Sequence, residues 1–339
     1  MQVSNYSSVI QRNPTESERL PFLASSRNAL FRLGYSTLGR NCLSILIYHS
    51  VLDAPDFMRP GVPTAEQFRW EMQLLRDNFN MLPLSQAIRL MREGRLPPRA
   101  ACVTFDDGYA DNLKVATPIM KQLDIPATFF IATGFLDGGR MWNDTVIEGL
   151  RHCPDRHLDL SALNLPVYEV NTPADRVNTA YDIISKIKYL DEGLRNEIAA
   201  AIGSISKDMS GDLMLTRDQV RELRQSGMEI GGHTVNHPIL ARLSAARSRE
   251  EILSGKEDLE SIIQERLGLF AYPNGRYGAD YSKEHVEYVR EAGFDAAVTT
   301  NGGVSEKSTN LYELPRFTPW DRTASRFLLR MTLNARHRG

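Results

Sequence analysis

The chain has 339 residues, roughly 2.3 domain equivalents at about 150 residues each, or one large α/β barrel. Forty Lys and Arg against 42 Asp and Glu leave a net charge of −2, with 42% hydrophobic and 24% charged residues. That balance excludes a disordered, collagen-like or nucleic-acid-coating chain and leaves ample length for a real core.

Cys42, Cys102 and Cys153 are an odd set with no close pair. Neither a disulfide framework nor a cysteine-rich zinc module fits, so all three read as reduced core residues. The first twenty residues are polar and lack the apolar block of a secretory signal, so the chain reads as cytoplasmic. The most apolar stretch, residues 127–136, is too short to span a bilayer.

In chain order, residues 1–42 are a leader in which 23–33 read as a short amphipathic helix. It suits either packing or peripheral contact with a membrane surface. From residue 43 to 320 the pattern is that of a parallel α/β barrel. Short β-rich runs at 44–48, 101–105, 127–132, 228–232, 269–272, 296–300 and 313–317 alternate with helix-period segments. Thr64 and Gln67 predict a capping box opening a helix with Phe68, Met72, Leu75 and Phe79 on one face. Thr216 and Gln219 open another, closed by Gly227. Residues 138–213 break the rhythm and read as an inserted, mostly helical cap over one face of the barrel. Residues 321–339 form a C-terminal helix and basic tail.

Barrel enzymes carry their reactive side chains where strands end, and four strand ends supply them here. Asp106 and Asp107 follow 101–105 and precede Gly108, whose freedom allows a sharp turn. One of two adjacent carboxylates can bind a cation while the other takes a proton. His233 and His237 follow 228–232, four apart on one side of a helical turn, where both can reach a single metal. Alone that spacing is weak, but beside Asp-Asp-Gly it is much stronger. Pro273-Asn274-Gly275 is either an ordinary tight turn or a source of backbone N–H groups for an oxyanion. His49, after 44–48, is structural or catalytic.

The segments TFDDGY at 104–109 and HTVNHP at 233–238, each after a strand and in that order, are specific. Over about residues 43–319 the chain resembles the polysaccharide deacetylases of carbohydrate esterase family 4, the NodB-homology domain. The resemblance implies a deformed (β/α)7 barrel that removes N- or O-acetyl groups from polysaccharides with a bound divalent metal. It implies Asp106 as general base, Asp107, His233 and His237 as metal ligands, and the Asn274 N–H as oxyanion donor.

Two departures identify the branch. The histidine acid usually sits near the C-terminus, where this chain has only His337 in its basic tail. His49 instead is similar to the acid of the circularly permuted branch that includes poly-N-acetylglucosamine deacetylases, in which the last barrel strand is moved to the front. The arginine that usually precedes the Tyr-Pro turn is absent from Ala271-Tyr272-Pro273, and Arg316 is the candidate for its charge. Trp320 and Asp321 fall where the family's Asp-Trp pair behind the acid is expected.

Zinc is the first expectation for the metal, with cobalt, nickel or iron compatible with the same ligands. The expected partner is an acetylated amino-sugar glycan, either a polysaccharide or a lipid-linked one, rather than nucleic acid. Three rival readings remain: a non-haem iron oxygenase, which the α/β pattern opposes, a non-catalytic carbohydrate-binding protein on the same barrel, and the same enzyme acting on a small sugar, a lipid-linked glycan or another C–N amide. Trp142 reads as a sugar-stacking platform or as cap core. His152, His157, His285 and His337 read as surface or packing residues.

Overall fold

The computed structural model describes residues 41–206, 209, 212–318 and 321–337, with 28, 31, 32, 34, 35 and 39 ahead of them. Most of the expected leader helix lies outside the described residues. Within it Asn28, Phe31 and Arg32 are helical, and Phe31 packs on Phe79.

The strands are β1 (Leu43–Tyr48), the short β2 (Asn80–Met81), β3 (Ala100–Phe105), β4 (Ala127–Ile131), β5 (His157–Asp159), β6 (Val167–Glu169), β7 (Glu229–Gly232), β8 (Leu269–Ala271) and β9 (Ala296–Val298). Six of them pair in parallel in the order β1-β3-β4-β7-β8-β9, with β2 added beside β3. Residues 313–317 close the ring through parallel bridges from Leu314 to Val298 and from Phe317 to Leu46. The Leu314 N–H donates to Ala297 O at 2.9 Å, and the Phe317 N–H to Ile45 O at 3.1 Å. The first strand in sequence therefore stands beside the last, and all seven β-rich runs form the barrel wall.

β1, β3 and β4 are buried on both faces along their whole length, as parallel barrel strands are. Alternate residues separate into two layers. Leu43, Ile45, Ala100, Cys102, Phe130, Leu269, Ala271, Ala296, Val298 and Leu314 share the barrel interior. Leu46, Tyr48, Ala101, Val103, Phe105, Phe129 and Phe270 face outward beneath the helices. The helix Leu84–Arg92 plugs the end where the strands begin, through Leu84, Ala87, Ile88 and Met91. Glu229, opening β7, accepts the Leu84 N–H at 2.8 Å and so caps that helix.

The insertion has its own apolar cluster, which includes Val146, Ile147, Ile183, Ile184, Ile198 and Ile202. It is built from helices Trp142–Arg151, Pro173–Ile187 and Glu192–Gly203 and the antiparallel β5-β6 hairpin. Cys42, Cys102 and Cys153 are free and buried. Thr216 and Gln219 form the expected reciprocal capping box, whereas the box at Thr64 is half made. Thr64 accepts from the Gln67 N–H, but the Gln67 side chain donates to Glu71 at 3.0 Å, a buried carboxylate that competes for it. The C-terminal helix spans Ala324–Asn334. Among the described residues no helix is long and apolar enough to cross a membrane.

Candidate active site

The period-two rows that line the barrel continue upward into polar residues. Ala100 and Cys102 lead to Thr104 and Asp106, Leu43 and Ile45 to Ile47 and His49, and Leu314 to Arg316. The carboxylate of Asp106 is held by Arg316 through two hydrogen bonds of 2.7 Å, one from each terminal nitrogen. Arg316 is fully buried and also donates to Thr104 Oγ1 and Thr299 O, each at 3.0 Å. Burial pushes the Asp106 carboxyl up, but Arg316 and His233 outweigh it and hold it below the usual carboxylate range.

Asp107 leaves the strand at φ +78, followed by Gly108 at φ +91. A side chain on Gly108 would be strained in that conformation and would press on Ile131 at 3.0 Å. The turn aims Asp107 Oδ1 between two imidazoles, 3.5 Å from His233 Nε2 and 3.4 Å from His237 Nε2. These three side chains offer ligand atoms within 4.8 Å of one another. Asp107 Oδ1 is buried and has no hydrogen-bond partner. His233 Nδ1 lies 2.7 Å from Ala271 O, the tautomer-fixing contact that leaves Nε2 free to ligate. Burial pushes His237 down to about 3 and keeps it neutral, whereas His233, facing both aspartates, is raised despite its burial. An orphaned buried carboxylate oxygen beside two imidazole nitrogens fits a divalent cation of the zinc type.

The two histidines are not on a helical turn as their spacing predicts. Residues 233–237 form a bend with Thr234 at φ +66 and His237 at φ +51. Buried Glu251 stabilises this bend, accepting the Val235 and Asn236 N–H groups at 3.1 and 2.8 Å and Asn236 Nδ2 at 2.8 Å. Gly255, on the same helix, lets Thr234 approach: a Cβ there would lie 2.7 Å from the Thr234 carbonyl carbon. Sequence reasoning missed Glu251, which carries no local signal because the link runs between a loop and the next helix.

His49 follows β1 in a turn fixed by Asp111, which accepts the Val51 N–H at 3.2 Å and the Ser50 hydroxyl. Asn112 Nδ2 donates to the His49 carbonyl at 2.8 Å. Burial lowers the His49 pKa, and Asp107 and Asp106 partly oppose it. Asn274 and Gly275 are both left-handed, at φ +61 and +74, beyond the strand that supports His233. Thr300 Oγ1 donates to Asn274 O at 2.7 Å, holding the peptide turned. No acceptor among the described residues takes the Asn274 N–H.

Tyr109, also unanticipated, donates to Asp144 of the cap at 2.9 Å, and Arg59 meets Asp144 at 2.9 Å, locking the cap to the site's edge. Trp320 lies outside the described residues, and Asp321 pairs with Arg330. His285 sits in a capping box with Ser282, and exposed His157 pairs with Glu169, both away from the site. A pocket of about 740 Å3 opens at the opposite end of the barrel, where Arg224 and Arg266 are paired with Glu265 and Asp295.

The sequence profile of the polysaccharide deacetylase family matches residues 93–160 and 171–297, more than half of the chain. A Bacillus subtilis protein named "Putative polysaccharide deacetylase YxkH" is 21% identical over 276 residues, covering 81% of this chain and 70% of the relative. The structure of Streptococcus pyogenes deacetylase PplD in complex with acetate superposes with a TM-score of 0.58 at 20% identity, over 86% of this chain and 98% of that one. IcaB from Ammonifex degensii gives 0.55 at 18% identity, over 87% and 97%. Both share the curled parallel barrel.

Proposed function

This chain belongs to the polysaccharide deacetylase family, and on that premise we propose how its own residues divide the hydrolysis of an acetyl group. Asp107, His233 and His237 would hold one divalent cation, zinc first, with cobalt, nickel or iron compatible with the same donors. Bound there, the cation would supply a Lewis acid that polarises the acetyl carbonyl and acidifies water.

Asp106, kept ionised and oriented by Arg316, takes the proton of the attacking water as general base. The Asn274 N–H, held outward by its left-handed turn, donates to the oxygen on which charge develops, a contact worth about 3–4 kcal/mol. His49 hands a proton to the departing sugar amine. Burial makes its protonated form a stronger acid than an ordinary imidazolium, which suits that transfer. Acetate and a free amino sugar result. The substrate is an N-acetylated amino sugar of a polysaccharide or lipid-linked glycan.

The observation that carries this reading is the orphaned, buried Asp107 Oδ1 facing two imidazole nitrogens beside an arginine-clamped second carboxylate. Metal content and acetate release measured together on Asp106→Asn and His237→Ala test it. The first is expected to keep metal and lose turnover, the second to lose both, and near wild-type turnover in Asp106→Asn would refute the base.

A further inference from the structure

Beside the active-site bend the cap forms a second, smaller pocket of about 210 Å3, lined by Arg140, Trp142, Glu192, Arg195 and Asn236 among others. Asn236 belongs to the bend that carries His233 and His237, so the pocket shares a wall with that bend. It is below the roughly 300–1,000 Å3 of drug-sized sites, a size for one sugar unit or one charged substituent.

The guanidinium of Arg195 lies 5.0 Å from the Trp142 ring centroid. The residue is 4% exposed, yet its Nε has no hydrogen-bond partner. Among the described residues the only carboxylate within 4.0 Å is Glu192, at 3.9 Å from Nη2, beyond hydrogen-bonding distance. A buried cation with so little compensation is costly to the fold unless something else completes it. Burial accordingly lowers its pKa. A guanidinium stacked on the indole, with its Nε bonded to no acceptor, suits an anionic oxygen on a sugar, which the arginine fork can bind with charge-assisted hydrogen bonds.

We propose that this pocket is a subsite of the same active centre, reading an anionic group, carboxylate or phosphate, on the sugar next to the acetylated one. The inference rests on the deacetylase reading above and makes the natural substrate an acidic glycan. The insertion then selects substrate by charge, and the barrel performs the reaction.

The test is calorimetric titration of the zinc-loaded Asp106→Asn protein, which is expected to bind substrate without consuming it, with three probes: chitotetraose, a tetrasaccharide alternating N-acetylglucosamine with glucuronate, and N-acetylglucosamine 1-phosphate. At least one acidic probe is expected to bind about tenfold or more tighter than the neutral one, and which one does so distinguishes carboxylate from phosphate. The preference is expected to vanish in Arg195→Met, which replaces an under-compensated charge with an apolar chain of similar length, and in Arg195→Gln should the first not fold. Equal affinities for all three probes, or a preference that survives loss of Arg195, would overturn the subsite. Acetate release by zinc-loaded protein from the two tetrasaccharides separates the two levels. Release without a charge preference sinks the subsite alone, whereas no release from either removes the reading beneath it.

Discussion

Arg316 and Asp106, 210 positions apart in sequence, meet inside the barrel through two parallel hydrogen bonds of 2.7 Å. The pair forms because both residues extend inward rows of strands that close the ring far apart in the chain. A fork of this kind fixes the carboxylate's orientation as well as its charge.

Arg316→Met leaves Asp106 buried without its partner and is expected to cost about 3–5 kcal/mol. Asp106 has a folded pKa below its unfolded value, so its contribution to stability is present above the unfolded carboxylate pKa and lost as pH falls through the folded one. The substitution should remove that contribution and move the acidic limb of kcat/KM to higher pH. Thermal melts and a pH–rate profile check both, and an unmoved acidic limb would show that Arg316 does not set the ionisation of Asp106.

For His49 the expected effect is on rate alone. His49→Gln should lower kcat by about 10²- to 10⁴-fold, the usual worth of a general acid, with metal content equal to wild type. Loss of metal in that variant would make His49 a ligand instead of an acid.

Glu251 positions the histidine bend without touching substrate. Glu251→Ala releases two backbone N–H groups and the Asn236 amide, and is expected to weaken metal affinity about 10- to 100-fold, as loss of a supporting contact behind metal ligands does. Competition with a chelating dye measures it. An unchanged affinity would mean that the bend holds its shape by other contacts.

Glu71 gives a pH signature of a different sign. Burial raises its carboxyl to about 7 although Gln67 and Tyr48 bond to it. The unfolded state ionises first, so stability falls as pH rises from the unfolded pKa toward 7 and levels off above it. Glu71→Gln is expected to stabilise the protein by on the order of 1–3 kcal/mol at pH 8 and to change little at pH 4. Denaturant melts at the two values decide it, and equal shifts at both would refute the assignment.

The barrel was readable because strands buried on both faces leave continuous apolar runs, and all seven, including 313–317, stand in the wall. Asp106, Asp107, His233, His237 and His49 were legible as polar residues at the ends of those runs, whereas Arg316, inside the run 313–317, was picked out only by the family resemblance. The shape of the histidine bend was not. A spacing of four suits a helix, but the Glu251 carboxylate and the close pass of Gly255 stabilise left-handed residues instead. The contacts of Glu251, Tyr109 and Arg195 join segments with no periodic relation, so only the folded chain reveals them. Gln67 shows the same limit locally, since Glu71 one turn later captured the side chain that a capping box would use.

The most direct test of the central claim is acetate release from N-acetylglucosamine oligomers by protein stripped with chelator and reloaded separately with zinc, cobalt and nickel. The account predicts that release disappears on stripping and returns on reloading, with Asp106→Asn inactive although it reloads. Full activity in the stripped protein would contradict a metal held by Asp107, His233 and His237. Tight metal binding with no acetate released from neutral or acidic oligomers would leave a carbohydrate-binding barrel without the reaction.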